Sequence, residues 1–308
     1  MPSALACPAS LKGVLSASAA ADALREGFRL AGVGCDTLPL ADGGEGTLDA
    51  LHAARGGAWC EARVEDAYGR PRAARWLLLD DATAVVEAAQ AIPLDPGRLD
   101  VRHASSRGLG VLLQEVGGPS RLVVGLGGTA NMDAGAGLLD VLTSLPAPTV
   151  VACDVDATLV EAPRLFGPQK GASPEDVARL QERFAATGLP DVPGGGAAGG
   201  LGAALASLGA ELRPGAPLVL DELGFDPRPY DLVVTGEGTV DRTTARGKAP
   251  WEVARRCADA GVRCVVFGGR VEEPLPGVET LALSGDPDCA ADDLVELGRR
   301  LGGGLDRV

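Results

Sequence analysis

Three apolar runs in this chain end in glycine and carboxylate. Asp42-Gly43-Gly44-Glu45-Gly46-Thr47 follows the run at 35–41, residues 125–137 follow Arg121-Leu122-Val123-Val124, and residues 235–241 follow Asp231-Leu232-Val233-Val234. Glycine lets backbone amides approach a bound group, and a helix N-terminus offers unpaired N–H donors. In open parallel sheets, ligands gather outside the carboxyl ends of the strands. Three such ends converging on one crevice would suit a phosphorylated, metal-bound ligand. The residues able to do chemistry there are Lys12, Asp42, Glu45, Asp133, Asp154, Lys170, Glu237, Asp241 and Lys248. The carboxylates could hold Mg²⁺, activate a hydroxyl, or cap helices. Asp154 and Asp156 flank Val155 and would share one face of an extended strand. Lys170 sits in a Pro/Gly turn, Lys248 opens a helix, and Ser105-Ser106-Arg107-Gly108 is a possible anion-binding turn.

Bulk properties narrow the field. The 308 residues are 46% hydrophobic but only 3% aromatic, so the interior is built from Ala, Leu and Val, as in parallel α/β layers. A net charge of −14 argues against nucleic-acid and acidic-membrane partners, and it obliges any phosphate site to rely on local cations. Two charges about 4 Å apart interact by roughly 4 kcal/mol at an effective dielectric of 20, so a few lysines outweigh the diffuse surface charge. Seven cysteines form no CxxC pair, which fits a reduced cytoplasm. No apolar run approaches the ~20 residues that span a bilayer. Walker A, kinase-loop and Rossmann dinucleotide signatures are missing, and neither His52 nor His103 belongs to a hydrolytic triad or zinc set.

The elements that must position these residues read as strands at 3–9, 36–41, 121–125, 150–153, 231–234, 263–267 and 279–283. Helices are expected at 16–30, 47–54, 107–116, 133–143, 174–186, 250–260 and 289–301, and an Ala/Leu helix should follow the glycines at 194–202. Ser16 and Ser173 are the N-caps. Residues 59–87 alternate as antiparallel β. The expected architecture is α/β with two domains. A Rossmann-like parallel-sheet domain (1–58, 104–145 and 227–308) is interrupted by a smaller mixed α+β domain (59–103 and 146–226), with the active site in the interdomain cleft.

Several segments together resemble the bacterial glycerate kinase family, the 2-phosphoglycerate-forming class. They are PASLKGVLSA (8–17), LADGGEGT (40–47), 125–139, ACDVD (152–156), FGPQKGA (166–172), 193–205 and DLVVTGEGTVDRTTARGKAP (231–250), and the likeness runs nearly end to end. The resemblance implies transfer of the γ-phosphoryl of ATP to a hydroxyl of D-glycerate with Mg²⁺, in a cytoplasmic monomer or homodimer. It implies catalytic roles for Lys12, Asp42, Asp154, Lys170 and Asp241. Substrate and nucleotide contacts would come from Ser105, Ser106, Arg107, Gly127, Gly128, Thr129, Glu237, Gly238 and Lys248, and metal contacts from Asp42, Glu45 and Asp133. The chain departs from the family pattern at Ala9 (usually Asp), Val14, Thr129, Asn131, Met132, Ala134, Thr243 and Glu252. It also lacks the usual Asn-Pro after Asp156 and is short between 139 and 150. Those departures leave open a weakened binding or regulatory protein, a kinase for another small hydroxy acid, or a hydrolase.

Overall fold

The computed structural model describes residues 2–305. Eleven strands are defined: β1 (Ser3–Ala6), β2 (Gly34–Thr37), β3 (Ala58–Glu65), β4 (Pro71–Leu78), β5 (Thr83–Glu87), β6 (Arg121–Gly125), β7 (Thr149–Cys153), β8 (Glu211–Pro214), β9 (Leu232–Val240), β10 (Arg263–Val271) and β11 (Glu279–Ala282). The helices are α1 (Ala17–Leu30), α2 (Thr47–Arg55), α3 (Ala88–Ala91), α4 (Arg107–Glu115), α5 (Ala136–Leu139), α6 (Ala162–Phe166), α7 (Pro174–Ala185), α8 (Ala197–Ser207), α9 (Gly215–Glu222), α10 (Ala249–Ala260) and α11 (Ala290–Leu305).

The chain forms two compact units. One comprises residues up to Asp42 and from Val219 onward; the other is Gly43–Leu218. These boundaries correct the expected ones. Residues 43–58 and 104–145 were assigned to the outer domain, but β6 pairs with β5 and β7, so both segments belong to the inserted unit. That unit is the larger of the two.

The first unit has a five-stranded, all-parallel sheet in the order β11-β10-β9-β1-β2. Its core includes Ala4, Leu24, Phe28, Val234, Phe267 and Leu294, all buried. Ser16 caps α1 as expected, its hydroxyl accepting from the Ala19 amide at 3.1 Å. Strand β9 runs further than expected. The strand expected at 231–234 does not stop there: Gly236, Glu237 and Thr239 continue the ladder beside Phe267, Gly268 and Arg270. A Cβ on Gly236 would lie 2.2 Å from the Phe267 carbonyl oxygen, so glycine is there for close strand approach.

The second unit has a six-stranded sheet in the order β3-β4-β5-β6-β7-β8. The β3-β4-β5 portion is antiparallel, as the alternation at 59–87 foretold, and β5 through β8 are parallel. All five residues of β5 are buried, as expected for a central strand covered on both faces. Ser173 caps α7 in a full capping box with Asp176. Helix α5 covers only four residues, not 133–143, because the backbone before it is left-handed at Ala134 and Gly135.

Candidate active site

In the second unit, the functional side chains collect where β6 and β7 end. Lys170 closes the short 3-10 turn Pro168–Lys170, which follows α6 directly. Its side chain turns inward and is only 5% exposed. The ammonium donates to the Asn131 carbonyl oxygen at 2.9 Å and to Thr129 Oγ1 at 3.4 Å. Burial lowers its pKa to about 8, while the negative charges of Asp133 and Asp154 push it back up. Asp154 lies one residue past β7 and is exposed. Asp156 is exposed too, but the strand stops at Cys153, so the expected strand alternation does not reach the pair.

Asp133 has a different task from the expected one. Its Oδ2 accepts from the Ser106 amide (2.8 Å), the Ser106 hydroxyl (2.8 Å) and the Gly137 amide (3.1 Å). Its Oδ1 accepts from Asn131 Nδ2 (3.0 Å) and the Gly135 amide (3.1 Å). A carboxylate offers about four lone-pair sites, and these donors fill them. Asp133 is therefore a partly buried hub joining the start of α4 to α5, its oxygens taken up by these donors rather than left for a metal. Ser106 is drawn into the same hub: fully buried, it also accepts from the Leu138 amide at 3.0 Å. It cannot serve as an anion contact. Ser105 accepts the Arg107 amide at 3.2 Å, and Arg107 is exposed at the start of α4. Among the described residues, no group of three or more His, Cys, Asp or Glu side chains is arranged to hold a metal ion.

The glycines of this region act first in packing. A Cβ on Gly125 would lie 2.3 Å from the Gly43 carbonyl oxygen, and one on Gly127 would lie 2.5 Å from the Gly44 Cα. The turn Gly43–Gly46 thus rests directly on the end of β6. Gly46, at φ +94°, leads into α2 and supplies no side-chain cap. The α2 amide of Leu48 instead donates to Glu87 Oε1 at 2.8 Å, a residue that the sequence reading passed over. Glu45 is exposed on this turn, Asp42 is half-buried just before it, and Gly128 is exposed beside buried Thr129.

In the first unit, the cluster forms around the end of β9. Glu237 accepts from Thr244 Oγ1 at 2.6 Å and pairs with the Lys248 ammonium at 3.3 Å. Lys248 is the N-cap residue of α10, where a lone cation would oppose the helix dipole; Glu237 offsets that. Asp241 Oδ1 accepts from the Thr243 amide (2.6 Å), the Thr243 hydroxyl (2.5 Å) and the Thr244 amide (3.2 Å). The Thr243 hydroxyl is the main reason its pKa is lowered, with the Thr243 amide and the Lys248 charge adding to it. Lys12 is exposed in the tight turn bridged by Leu11 and Leu15, and a Cβ on Gly238 would lie 3.6 Å from its backbone nitrogen. That contact sets Lys12 beside β9. Two departures from the family pattern have structural partners here. Thr243 holds Asp241, and buried Glu252 accepts from Arg255 and Arg256 at 2.7–2.8 Å.

The model of the glycerate kinase family matches residues 4–147 and 145–285. A glycerate kinase of Bacillus subtilis is 35% identical, with 86% of this chain and 84% of that protein covered. A glycerate 2-kinase of Escherichia coli is 36% identical, with 80% of each covered. A solved structure from Salmonella typhimurium, described as a glycerate kinase 2, superposes with a TM-score of 0.83 at 30% identity, covering 99% of this chain and 98% of that one. The chain belongs to the glycerate kinase family.

Proposed function

We propose that this protein transfers the γ-phosphoryl group of ATP to a hydroxyl of D-glycerate, giving 2-phosphoglycerate and ADP. The observation that carries the reading is Lys170: an ammonium buried against the Asn131 carbonyl and the Thr129 hydroxyl, in a chain whose overall charge repels phosphate. Family membership supplies the acceptor and the nucleotide. Phosphoryl transfer is chiefly positioning and charge neutralisation. Lys170 would bind a phosphoryl oxygen with the part of its ammonium that Asn131 and Thr129 do not occupy. Lys12 and Lys248 would neutralise further phosphate or carboxylate charge. Asp154, exposed and acting electrostatically on Lys170, would accept the proton of the attacking hydroxyl. That oxygen then bonds to the γ-phosphorus as the bridge to ADP breaks.

Asp241 and Asp42 would hold Mg²⁺, which takes one or two carboxylates and otherwise prefers phosphate and water oxygens. Asp241 fits: its bonds from Thr243 and Thr244 fall on Oδ1, and its lowered pKa keeps it a hard anionic donor. The ion supplies charge neutralisation at the phosphates. With no described helix long and apolar enough to cross a membrane, we propose a cytoplasmic enzyme with small-molecule partners only.

ADP release measured with Mg-ATP and a panel of small hydroxy acids tests the activity. Turnover with D-glycerate above the other acids is expected. Turnover only with another acid, or phosphate release without any acceptor, would overturn it. In the same assay Asp154→Asn should lower kcat by about 10²-fold or more, the usual contribution of a general base, with little change in melting temperature. Asp154→Asn turnover within threefold of wild type would remove Asp154 from that role.

A further inference from the structure

Glu87 is the last residue of β5, at the carboxyl edge of the parallel strands and in register with Gly125 of β6. It is 2% exposed, in a strand otherwise made of Thr, Ala and Val. An ionisable group there carries a desolvation cost, and its pKa is raised chiefly by that burial; Asp49 and Glu45 push it the same way. Its Oε1 accepts the Leu48 amide at 2.8 Å, in the first turn of α2. Its Oε2 has Gln90 Nε2 at 3.5 Å, a weak contact. Helix α2 has no cap of its own, because Gly46 brings no side chain to it. A carboxylate at a helix N-terminus satisfies an orphan amide and complements the dipole.

We propose that Glu87 is a positioning residue for phosphoryl transfer: from β5 it supplies the cap that α2 lacks, and so fixes the Gly43–Gly46 turn, with Glu45 on it and Asp42 before it, against the end of β6. The proposal rests on the reading that this turn belongs to the reaction site. The turn leans on β6 through bare backbone, Gly43 against Gly125 and Gly44 against Gly127. The Ala152 side chain borders Gly43, and the Gly127 amide donates to the Gly43 carbonyl at only 3.4 Å. The Glu87–Leu48 bond ties the far end of the turn to the neighbouring strand, 39 residues away in sequence.

Reach and charge can be separated by two substitutions. Glu87→Gln keeps the length and an acceptor oxygen but removes the charge. Glu87→Asp keeps the charge but draws the carboxyl back by one methylene. Positioning by reach predicts that E87Q stays within about threefold of wild-type kcat. E87D should lose about tenfold or more, since a displacement near 1 Å can cost up to ~10²-fold. Hydrogen exchange at the Leu48 amide should speed up in E87D and not in E87Q. Asp42→Asn is measured alongside. If E87D outperforms E87Q, or if both match wild type, the positioning role is wrong. If Asp42→Asn leaves turnover intact, it is the placement of the turn in the reaction site that fails.

Discussion

Lys170→Met lowers kcat by about 10²–10³-fold or more while the melting temperature at pH 7 holds or rises. The first part follows from removing the one buried ammonium of the cluster, since a single pre-organised donor to developing charge is commonly worth that much. The second follows from linkage. In the unfolded chain Lys170 keeps its proton up to about pH 10.5; in the folded chain it gives it up near pH 8, because burial disfavours the charge. Below pH 8 both states are charged and the desolvation penalty, on the order of 3 kcal/mol, is present in full. The penalty fades as pH rises from about 8 to about 10.5. Methionine has similar length and no charge, so at pH 7 the relief offsets the lost bonds to Asn131 and Thr129. The same shift gives wild-type kcat/KM an alkaline limb with an apparent pKa near 8. Activity within tenfold of wild type, or collapse of the fold, would show that Lys170 is an ordinary structural lysine. Thermal melts and a pH profile decide it.

Asp133→Asn should have the largest effect on stability. A surface Asp→Asn change is usually mild. Here every lone pair of the carboxylate meets a donor: Ser106 and Gly137 on one oxygen, Asn131 and Gly135 on the other. Whichever way the new amide turns, its NH₂ group faces N–H donors. A loss of about 3 kcal/mol follows, as expected when a partly buried charged acceptor is taken from several donors. The melting temperature should fall by on the order of 10 °C, and by the same amount with or without a Mg²⁺ chelator. If instead the fold is untouched and only Mg²⁺ dependence changes, Asp133 is a metal ligand after all. Its charge also raises the Lys170 pKa, so the alkaline limb of the variant should move to lower pH.

Much of the fold could be read from local sequence. Ser16 before an Ala-rich helix and Ser173-Pro174 before α7 are caps with local partners, and both act as expected. The segment 125–137 does start at the carboxyl end of β6, and 42–47 follows β2 after a short link, whereas 235–240 lies within β9 and only Asp241 is beyond it. What escaped depends on partners far away in the chain. Asp133 looked like a ligand because its donors on α4 lie up to 27 residues earlier. Glu87 carries no local signal of its role, since its partner Leu48 lies 39 residues away. The glycines of 235–240 suggested the end of the strand, but they let β9 lie flush against β10. The domain division turned on the same problem: β5 is antiparallel to β4 and parallel to β6, and only the second pairing draws 104–145 into the inserted unit.

Phosphorus NMR of a mixture of purified protein, Mg-ATP and D-glycerate follows the transferred group directly. The γ-phosphorus signal should give way to a phosphomonoester resonance split into a doublet by the single proton on glycerate carbon 2. Growth of inorganic phosphate alone, or an ATP spectrum unchanged by glycerate, would contradict the assignment of this chain as a glycerate-phosphorylating kinase.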